Sequence, residues 1–539
     1  MNDDLLIDQL APSASAQWMG ERFARVVDPT AGSLTSAAVW LFHQLQQGHT
    51  CLDFDLPVHA TRCGAKVGDE RDILSAVVPA SWLTDLAKHP HVQYVQPGSA
   101  GSHTDSDKLL VLDGRKLFLA TCRHDEIQVA SALRARATKK CAWHQSAPAT
   151  TTSPAEQAIA AIRRNQLTIV TGGPGTGKTT IASRMVAAIL SIAPVEVALV
   201  APTGKAAKRL ENSMRRASLA TITATTIHAA LYARGEHALA NKRLVIADES
   251  SMIDLELMRK LLEAIHPDAS LVLLGDAHQL ASVEAGSVFA DILPGAGETT
   301  HPLSSCTVRL TENYRFPADG IVARVAAAVN DGAWDRVRTL LNDNAASSVR
   351  WHVVSDSRGV VDACFAAFKS APESRVLCGH RRGRDGSLAI NRMLAKRVGG
   401  ASNPDAQDGD EFAGRPIIVT VNDEVTGVRN GDTGVVQRNA QGELEVLIDG
   451  MSDPLPLAQL PQHEAAYALT IHKSQGSEYE RVIVVLPAHP SPVVTRELLY
   501  TAITRTTGDV LIIATAHAFQ SAVEQRTHRA SGLRDRMSV

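Results

Sequence analysis

A glycine-rich stretch that fits the phosphate-binding pattern G-x-x-x-x-G-K-[ST] is the most specific chemical signature in this sequence. The stretch and the threonine after it are Gly172, Gly173, Pro174, Gly175, Thr176, Gly177, Lys178, Thr179 and Thr180. Glycines let successive backbone N–H groups turn toward an anion, and the start of the following helix adds a favourable dipole. We predict that Lys178 reaches the β- and γ-phosphates of a nucleoside triphosphate and that the Thr179 hydroxyl binds Mg²⁺.

Two acidic residues and a glutamine supply groups suited to phosphoryl transfer. Asp248 and Glu249 follow the apolar run 244–247, and Gln279 follows the apolar run 271–274. Phosphoryl transfer depends mainly on positioning and charge neutralisation. Asp248 therefore suits outer-shell coordination of Mg²⁺, Glu249 suits polarisation of the attacking water, and Gln279 can sense the γ-phosphate. The alternative for the acidic pair is a helix N-cap, which is common at strand ends.

Two arginines and a second glutamine complete the predicted nucleotide site. Arg315 suits binding of the γ-phosphate, and Arg505 suits the role of an arginine finger that neutralises transition-state charge from across a cleft. Gln157 precedes the glycine-rich stretch and can offer both a donor and an acceptor to an adenine edge. ATP is therefore the expected nucleotide, although Gln157 taken alone is a polar residue at a helix start.

These side chains are positioned by a repeated alternation of apolar runs and polar loops. The runs 167–170, 195–200, 244–247 and 271–274 each lead directly into one of the polar segments. Because ligands bind at the carboxyl ends of strands in open α/β sheets, the loops should meet in one crevice. A second series of strands, predicted at 375–378, 467–471, 481–486 and 510–514, carries no glycine-rich phosphate loop. It predicts a second lobe without its own nucleotide.

The chain divides into three parts. Residues 1–145 predict an α+β docking domain, with a helix near 34–45, a hairpin at 109–119 on a type I′ turn and a helix near 125–136. Residues 145–154 are polar and contain prolines, which is typical of a linker. Lobe 1 is expected at 155–316 and lobe 2 at 317–539. Within lobe 2, residues 412–457 are rich in turns and predict a small β-barrel insert.

Composition excludes several classes of protein. Seven cysteines are scattered without C-x-x-C pairs, so neither a zinc site nor a disulfide framework is indicated, and a cytoplasmic location is expected. No apolar run approaches the roughly 18 residues that span a bilayer, so no membrane partner is expected. The net charge of −3 argues against a protein coated in nucleic acid. Any DNA contact must come from local patches.

Seven segments in order give the chain a family resemblance. They are GGPGTGKTT, APTGKAAKRL, DESSMID, GDAHQLASVEAG, LTENYRF, TIHKSQGSEY and LLYTAITR. This order resembles the helicases of superfamily 1, and the SVEAG segment at 282–286 resembles their RecD branch. Residues 48–52 and 109–119 also resemble the front domain of RecD, the α subunit of exodeoxyribonuclease V (RecBCD). The resemblance implies two RecA-like P-loop NTPase lobes, preceded by the α+β domain.

The resemblance further implies an ATP-dependent 5′→3′ DNA helicase that moves along single-stranded DNA. Its expected partners are RecB- and RecC-like subunits in a heterotrimer that acts on double-strand breaks in recombinational repair. The segments that contact DNA in the family correspond here to Pro202, Thr203, Lys205, Thr226, His228, Thr470, His472 and Lys473. His228 could instead cap a helix. The basic run from 205 to 216 could be a solvated helix face.

Two observations limit the expected activity. No Asp-x-Lys or Glu-x-Lys triplet of the kind that two-metal nucleases use occurs in the sequence, so nuclease activity is expected only in a partner subunit. Ala277 and His278 stand where relatives often place charged residues, which leaves the coupling through that loop open.

The sequence leaves three alternative functions open. The chain could be an ATP-gated clamp that holds DNA ends without unwinding them, although its intact ATPase motifs argue against this. It could be a stand-alone RecD-type helicase, although 150 residues leave little space for the longer N-terminal region of that type. It could also be a P-loop small-molecule kinase or another NTPase, which single-stranded DNA would not stimulate.

Overall fold

The computed structural model describes most of the chain. The described residues are 10–11, 14–27, 32–55, 59–62, 70–72, 81–96, 108–143, 153–232, 239–295, 297–317, 319–342, 348–402, 412–423 and 425–538. Most of the predicted linker, residues 145–152, lies outside them. Among the described helices, none combines the length and the apolar character that a membrane crossing requires.

In the described residues of the N-terminal part, four helices accompany two small sheets. The helices are α1 (Ala14–Val27), α2 (Gly32–Gln46), α3 (Ser81–Lys88) and α4 (Ala120–Thr138). The strands are β1 (Leu10–Ala11), β2 (Cys51–Asp53), β3 (His59–Arg62), β4 (Glu70–Asp72), β5 (Val92–Val95), β6 (Leu110–Asp113) and β7 (Lys116–Leu119). One sheet has the order β2-β7-β6-β5, and the other has the order β1-β3-β4. Both predicted helices, near 34–45 and 125–136, are present and somewhat longer than expected.

The predicted hairpin at 109–119 is present, but its turn is of another type. Asp113 pairs with Lys116 across β6 and β7, so Gly114 and Arg115 form the two-residue loop. Of these two residues only Gly114 has a positive φ, at 61°. A type I′ turn needs a positive φ at both positions, whereas a type II′ turn needs it only at the first. The type I′ prediction is wrong, because Arg115 keeps the negative φ that a side chain favours.

A six-stranded parallel sheet forms the centre of the next part of the chain. Its strands are β8 (Leu167–Gly172), β9 (Val197–Ala201), β10 (Ala224–Thr226), β11 (Leu244–Ala247), β12 (Ser270–Gly275) and β13 (Thr307–Leu310), in the order β10-β9-β11-β12-β8-β13. The helices are α5 (Pro154–Arg164), α6 (Lys178–Leu190), α7 (Gly204–Arg216), α8 (Ile227–Tyr232), α9 (Leu255–Ala264) and α10 (Val288–Ile292). Apolar side chains cover both faces of the sheet, as a fully parallel sheet requires. The four apolar runs predicted as strands here are all strands.

The following part contains a second parallel sheet and an antiparallel one. The strands are β14 (Val349–Val353), β15 (Arg375–Cys378), β16 (Pro416–Val419), β17 (Thr433–Arg438), β18 (Leu444–Ile448), β19 (Leu455–Pro456), β20 (His463–Ala465), β21 (Ala468–Thr470), β22 (Tyr479–Val485) and β23 (Thr506–Ala514). The helices are α11 (Ile321–Asn330), α12 (Trp334–Asn342), α13 (Ser357–Ser370), α14 (Ser387–Ser402), α15 (Arg496–Ile503) and α16 (Ala516–Glu524). The parallel sheet has the order β14-β23-β22-β15-β21.

The antiparallel sheet stands where we predicted a small β-barrel. Its order is β19-β18-β17-β16-β20, and it has its own apolar core, which includes Ile417, Val436 and Val446. It ends at Ala465, past the predicted boundary at 457. Its two edge strands, β19 and β20, do not pair with each other in the described residues, so the sheet is open there.

The C-terminal helix α17 (Leu533–Ser538) returns to the N-terminal part and packs against α4. The fully buried carboxylate of Glu126 on α4 accepts hydrogen bonds from the Thr50 hydroxyl at 2.6 Å, the Gly532 N–H at 3.0 Å and Arg536 Nε at 3.1 Å. Arg536 also donates to Asp113 at 3.0 Å. A buried carboxylate therefore joins three distant segments of the chain.

We expect Glu126→Ala to lower the free energy of unfolding of this region by about 3 kcal/mol, because removing one partner leaves a buried guanidinium short of its counter-charge. The measurement is the midpoint of thermal unfolding, together with the rate at which a protease releases the C-terminal helix. Asp535→Asn is the matched control, since Asp535 pairs with Lys116 at 2.6 Å but is 69% exposed. That loss should be about 1 kcal/mol or less. Equal effects of the two changes would contradict the role given to Glu126.

Candidate active site

The glycine-rich loop joins the end of β8 to the start of α6. Gly175 and Gly177 have φ values of 81° and 79°, and Gly177 is the N-cap of α6. A Cβ atom on Gly175 would lie 2.5 Å from the Asn313 side-chain oxygen, which is closer than real Cβ atoms approach other heavy atoms. The loop therefore needs glycine at this position both for its backbone conformation and for the approach of residues 313–315.

Lys178, the first residue of α6, extends back over the loop. Its Nζ donates to the backbone oxygens of Gly172 at 2.5 Å and Gly173 at 2.9 Å. Desolvation in the cleft lowers the pKa of Lys178, and the nearby carboxylates of Asp276, Glu249 and Asp248 oppose that shift. A cation placed among loop carbonyls and carboxylates can exchange those partners for phosphate oxygens.

The acidic pair lies opposite the first turn of α6. The Thr179 hydroxyl donates to Asp248 Oδ2 at 3.2 Å, and Asp248 Oδ1 accepts the Glu249 N–H at 2.8 Å. Burial and the neighbouring Glu249 raise the pKa of Asp248. Glu249 has a φ of 51°, a left-handed conformation that is strained for a side chain other than glycine. That conformation lets Glu249 line the same cavity as Lys178.

Gln279 and the two arginines converge on this cavity from both parallel sheets. The cavity has a volume of 770 Å³ and is lined by Lys178, Asp248, Gln279, Arg315 and Arg505, among others. Gln279 and Asp248 follow strands of the first sheet, whereas Arg505 lies between α15 and β23 of the second. The structure therefore brings together the predicted phosphate, water and charge-neutralising groups at a seam between two lobes.

Both arginines are held by lobe 2. Arg505 is only 2% exposed, and it donates to the backbone oxygens of Thr501 at 3.3 Å and Ser477 at 3.4 Å. Arg315 donates to the backbone oxygen of Thr504 at 2.9 Å and forms an ion pair with Glu478. Burial lowers the pKa of each guanidinium. Both cations are thus held in place by backbone oxygens of lobe 2, and Arg315 by Glu478 as well.

Sequence reasoning missed three side chains at this site. Glu478 pairs with Arg209 at 2.9 Å as well as with Arg315, and so links α7 of lobe 1 to lobe 2. Tyr314 lies beside Gly177 and lines both the main cavity and a second one of 310 Å³. Its exposed ring can stack on a nucleobase. The available signal was that Arg209, Tyr314 and Glu478 all lie within segments that carry the family resemblance, namely APTGKAAKRL, LTENYRF and TIHKSQGSEY.

Gln157, which we expected at the adenine edge, lies on α5, whose first two residues, Pro154 and Ala155, line the second cavity. It is exposed on the first turn of α5 and lines neither described cavity. Ser153 and Glu156 form a capping box at the start of that helix. Both the contact with adenine and the alternative, a polar residue at a helix start, stay predictions for Gln157.

Comparison with known proteins identifies the family. A model described as "RecBCD enzyme subunit RecD, N-terminal domain" matches residues 16–118, one described as "AAA domain" matches 154–351, and one described as "UvrD-like helicase C-terminal domain" matches 465–513. The RecBCD enzyme subunit RecD of Mycobacterium tuberculosis (strain H37Rv) is 34% identical over 510 residues, which cover 85% of this chain and 84% of that protein. The chain belongs to the RecD family.

A further curated relative of this RecD-family chain is named as a DNA helicase. The ATP-dependent RecD2 DNA helicase of Deinococcus radiodurans is 31% identical over 385 residues, which cover 69% of this chain and 50% of that protein. Among solved structures, the one described as Bacteroides Pif1 bound to single-stranded DNA is similar over 71% of this chain and 95% of that chain, at 19% identity and a TM-score of only 0.44, too low to support any conclusion on function. The prediction of an ATP-hydrolysing DNA helicase is confirmed for this RecD-family chain.

The residues predicted to contact DNA in the RecD-family chain follow strand ends, and three of their hydroxyls cap local turns. The hydroxyl oxygens of Thr203, Thr226 and Thr470 accept the N–H of Ala206 at 3.2 Å, of Ala229 at 3.1 Å and of Lys473 at 3.3 Å, respectively. Pro202 lies beside Thr203 at the end of β9. The same hydroxyls therefore shape the loops that would carry DNA contacts.

The basic and histidine side chains predicted to contact DNA differ from one another in exposure and in bonding partners. His228 is exposed on α8, and Lys473 forms an ion pair with Glu464 at 3.2 Å. His472 is half-buried, and burial lowers its pKa. Lys205 points into the nucleotide cavity, where its Nζ donates to the Ser477 hydroxyl at 3.3 Å. The first turn of α7 therefore faces lobe 2 at Lys205, and the contact of Lys205 with DNA stays a prediction.

Proposed function

We propose that the protein is a 5′→3′ helicase that moves along single-stranded DNA as the RecD-type subunit of a helicase-nuclease complex. The observation that supports this most is the nucleotide cavity at the seam of two lobes. It has Lys178 on one side and Arg505 on the other. Such a seam can convert nucleotide binding and hydrolysis into closing and reopening of the lobes. The polarity and the complex rest on the family.

We assign the chemistry to the residues that line the cavity. Lys178 binds the β- and γ-phosphates, and Arg315 and Gln279 bind the γ-phosphate. Glu249 orients and polarises the attacking water. Arg505 neutralises the charge that develops in the transition state. Closure of the lobes excludes bulk water, which strengthens each of these electrostatic interactions.

The Thr179 hydroxyl and the Asp248 carboxylate suit Mg²⁺. They lie 3.2 Å apart beside the glycine-rich loop, and oxygen ligands of this kind are those that Mg²⁺ prefers. When bound, Mg²⁺ would supply charge neutralisation at the phosphate oxygens. The loop itself fits triphosphate, since its glycines and the N-terminal end of α6 face the cavity.

We propose that DNA runs across the loops that follow β9, β10 and β21. Backbone amides, hydroxyls and a few cations in these loops suit a grip on the phosphate backbone that is independent of base sequence. His228 and Lys473 are exposed there, and each of the two lobes contributes at least one of these loops. We retain lobe boundaries at 155–316 and 317–539, with the antiparallel sheet as a small barrel-like insert in lobe 2.

We propose RecB- and RecC-like subunits as partners, with residues 1–145 as the docking domain. The extent of the match supports a subunit over a stand-alone helicase, because the chain covers 84% of the mycobacterial RecD and only 50% of RecD2. Nuclease activity then belongs to a partner, and the site of action is a broken duplex. The cysteine usage favours the cytoplasm.

A test of this function compares duplexes that carry a 5′ or a 3′ single-stranded tail. We expect the full chain, purified with its RecB- and RecC-like partners inactivated in their own ATP sites, to unwind only the 5′-tailed duplex in the presence of ATP and Mg²⁺. ATP turnover should rise when single-stranded DNA is added. Unwinding of the 3′-tailed duplex would contradict the polarity. DNA binding without unwinding of either substrate would favour an ATP-gated clamp, and turnover that ignores DNA would favour an unrelated NTPase.

A further inference from the structure

The segment at 525–532, which we name the strap, connects three parts of the molecule. It begins on lobe 2, where Glu497 Oε2 accepts the Thr527 N–H at 2.9 Å and the Thr527 hydroxyl at 2.8 Å. It ends on the N-terminal part, where the Thr50 N–H donates to the Ala530 oxygen at 3.0 Å and the Ala530 N–H donates to His49 Nδ1 at 2.8 Å. None of the motifs that carry the nucleotide chemistry includes the strap.

Arg529, in the middle of the strap, binds one loop of lobe 1. Its Nη1 donates to the backbone oxygens of Gly286 at 2.8 Å and Glu284 at 2.9 Å, and to the Ser282 hydroxyl at 3.3 Å. Its Nη2 donates to the Ser282 backbone oxygen at 2.6 Å. One planar guanidinium thus holds both ends of the loop 282–286, a task that suits its rigid set of donors and that a lysine ammonium cannot copy.

The opposite side of the guanidinium is covered by a glycine of the N-terminal part. A Cβ atom on Gly48 would lie 2.6 Å from Arg529 Cζ, and Gly48 has a φ of 87°. The Gly48 backbone oxygen also accepts the Gly286 N–H at 2.9 Å. The arginine is therefore enclosed between the loop and Gly48, and only glycine leaves space for it.

The loop that Arg529 holds continues directly from Gln279, the residue assigned to the γ-phosphate. Between them, the Leu280 N–H donates to the Thr501 hydroxyl of α15 at 3.2 Å. Gln475, three residues after His472, donates to the Leu280 oxygen at 3.5 Å. The segment 279–286 therefore makes three contacts. Gln279 at one end lines the nucleotide cavity, and the neighbouring Leu280 bonds to the segment around His472 that is predicted to contact DNA. Residues 282–286 at the other end bind Arg529.

We propose that Arg529 is a positioning residue that couples DNA binding to ATP hydrolysis by holding the loop 282–286, and with it Gln279, in register with lobe 2. This inference rests on the proposed function, since it uses the γ-phosphate role of Gln279 and the DNA role of the segment around His472. Arg529 touches neither substrate. Without its guanidinium, the loop 282–286 loses four hydrogen bonds. A movement of lobe 2 on DNA then no longer shifts Gln279 to a defined position.

The test measures ATP turnover of the full chain with and without single-stranded DNA, for Arg529→Lys, Arg529→Ala and Gly48→Ala. We expect each change to reduce the stimulation of turnover by DNA about tenfold, with basal turnover and the KM for ATP within about twofold of the original protein. Lysine should not rescue, because it cannot reach all the carbonyls. Gly48→Ala displaces the same guanidinium from the other side, so it should have the same effect with Arg529 intact.

Arg534→Ala is the matched control. Arg534 is exposed on α17 and donates to the Ala290 backbone oxygen at 3.3 Å, so its loss should leave the stimulation unchanged. Full stimulation in a folded Arg529→Lys protein would overturn the inference and leave the proposed function standing. A parallel fall of basal and stimulated turnover would also overturn it, because it would show a purely structural role. If the original protein shows no stimulation by DNA, the proposed function fails and the coupling role fails with it.

Discussion

Lys178→Gln is expected to abolish ATP hydrolysis, with turnover reduced at least about a hundredfold. Lys178 is the cation nearest the glycine-rich loop, and its Nζ lies within 2.9 Å of two loop carbonyls. Glutamine can still donate to those carbonyls, so the loop should keep its shape, but it brings no positive charge to the phosphates. The measurement is steady-state ATP turnover in the presence of single-stranded DNA, with unfolding midpoints recorded for both proteins.

Lys242→Gln is the control for the loss of a lysine charge. Lys242 precedes β11 at the opposite end of the sheet and pairs with Glu196 at 2.8 Å, so its replacement should leave turnover unchanged. Near-wild-type hydrolysis by a folded Lys178→Gln protein would show that the phosphates bind elsewhere. It would remove the basis for the whole site assignment.

Replacement of Arg505 is expected to separate nucleotide binding from catalysis. In Arg505→Ala, kcat should fall about a thousandfold, the lower range for arginine fingers, while the Kd for ATP changes only a few-fold. The reason is that Arg505 reaches the cavity from lobe 2, whereas lobe 1 supplies the glycine-rich loop and Lys178. Arg505→Lys should recover little, because a lysine lacks the planar fork that follows the transition-state charge.

Binding and turnover must be measured on the same preparations. A fluorescent ATP analogue reports the Kd, and single-turnover hydrolysis reports the chemical step. Arg481→Ala, which removes an exposed arginine of β22 that pairs with Glu373, controls for the loss of positive charge from lobe 2. Equal losses of binding and catalysis in Arg505→Ala, with the fold intact, would assign Arg505 to ground-state binding instead of the transition state.

Several features of the fold were predictable because they depend on neighbours in the chain. The apolar runs before 172, 201, 248 and 276 became parallel strands, and the resemblance to the RecD family was confirmed by relatives along most of the chain. The hairpin at 109–119 was also predictable, but its turn type was not. Only one of the two central positions is a glycine, and Arg115 at the other keeps the negative φ that a residue with a side chain favours.

The site was predictable in part. Asp248, Gln279 and Arg505 line one cavity with Lys178, as their motifs suggested, although their catalytic roles remain predictions. Gln157 is exposed on α5 and does not line that cavity, so its contact with adenine stays a prediction. Lys205 lines the nucleotide cavity and donates to Ser477 of lobe 2, and its contact with DNA stays a prediction.

The sequence by itself determined the reaction and the elements that carry it, since a phosphate loop, a strand-end acid pair and an arginine motif each act within a few residues. Only the tertiary structure decided which distant groups meet. Glu478 forms ion pairs with both Arg209 and Arg315. Arg529 donates hydrogen bonds to a loop more than two hundred residues earlier in the chain. Such contacts leave no periodic pattern in sequence, because they depend on how the lobes and the C-terminal strap pack, and packing is a property of the whole chain.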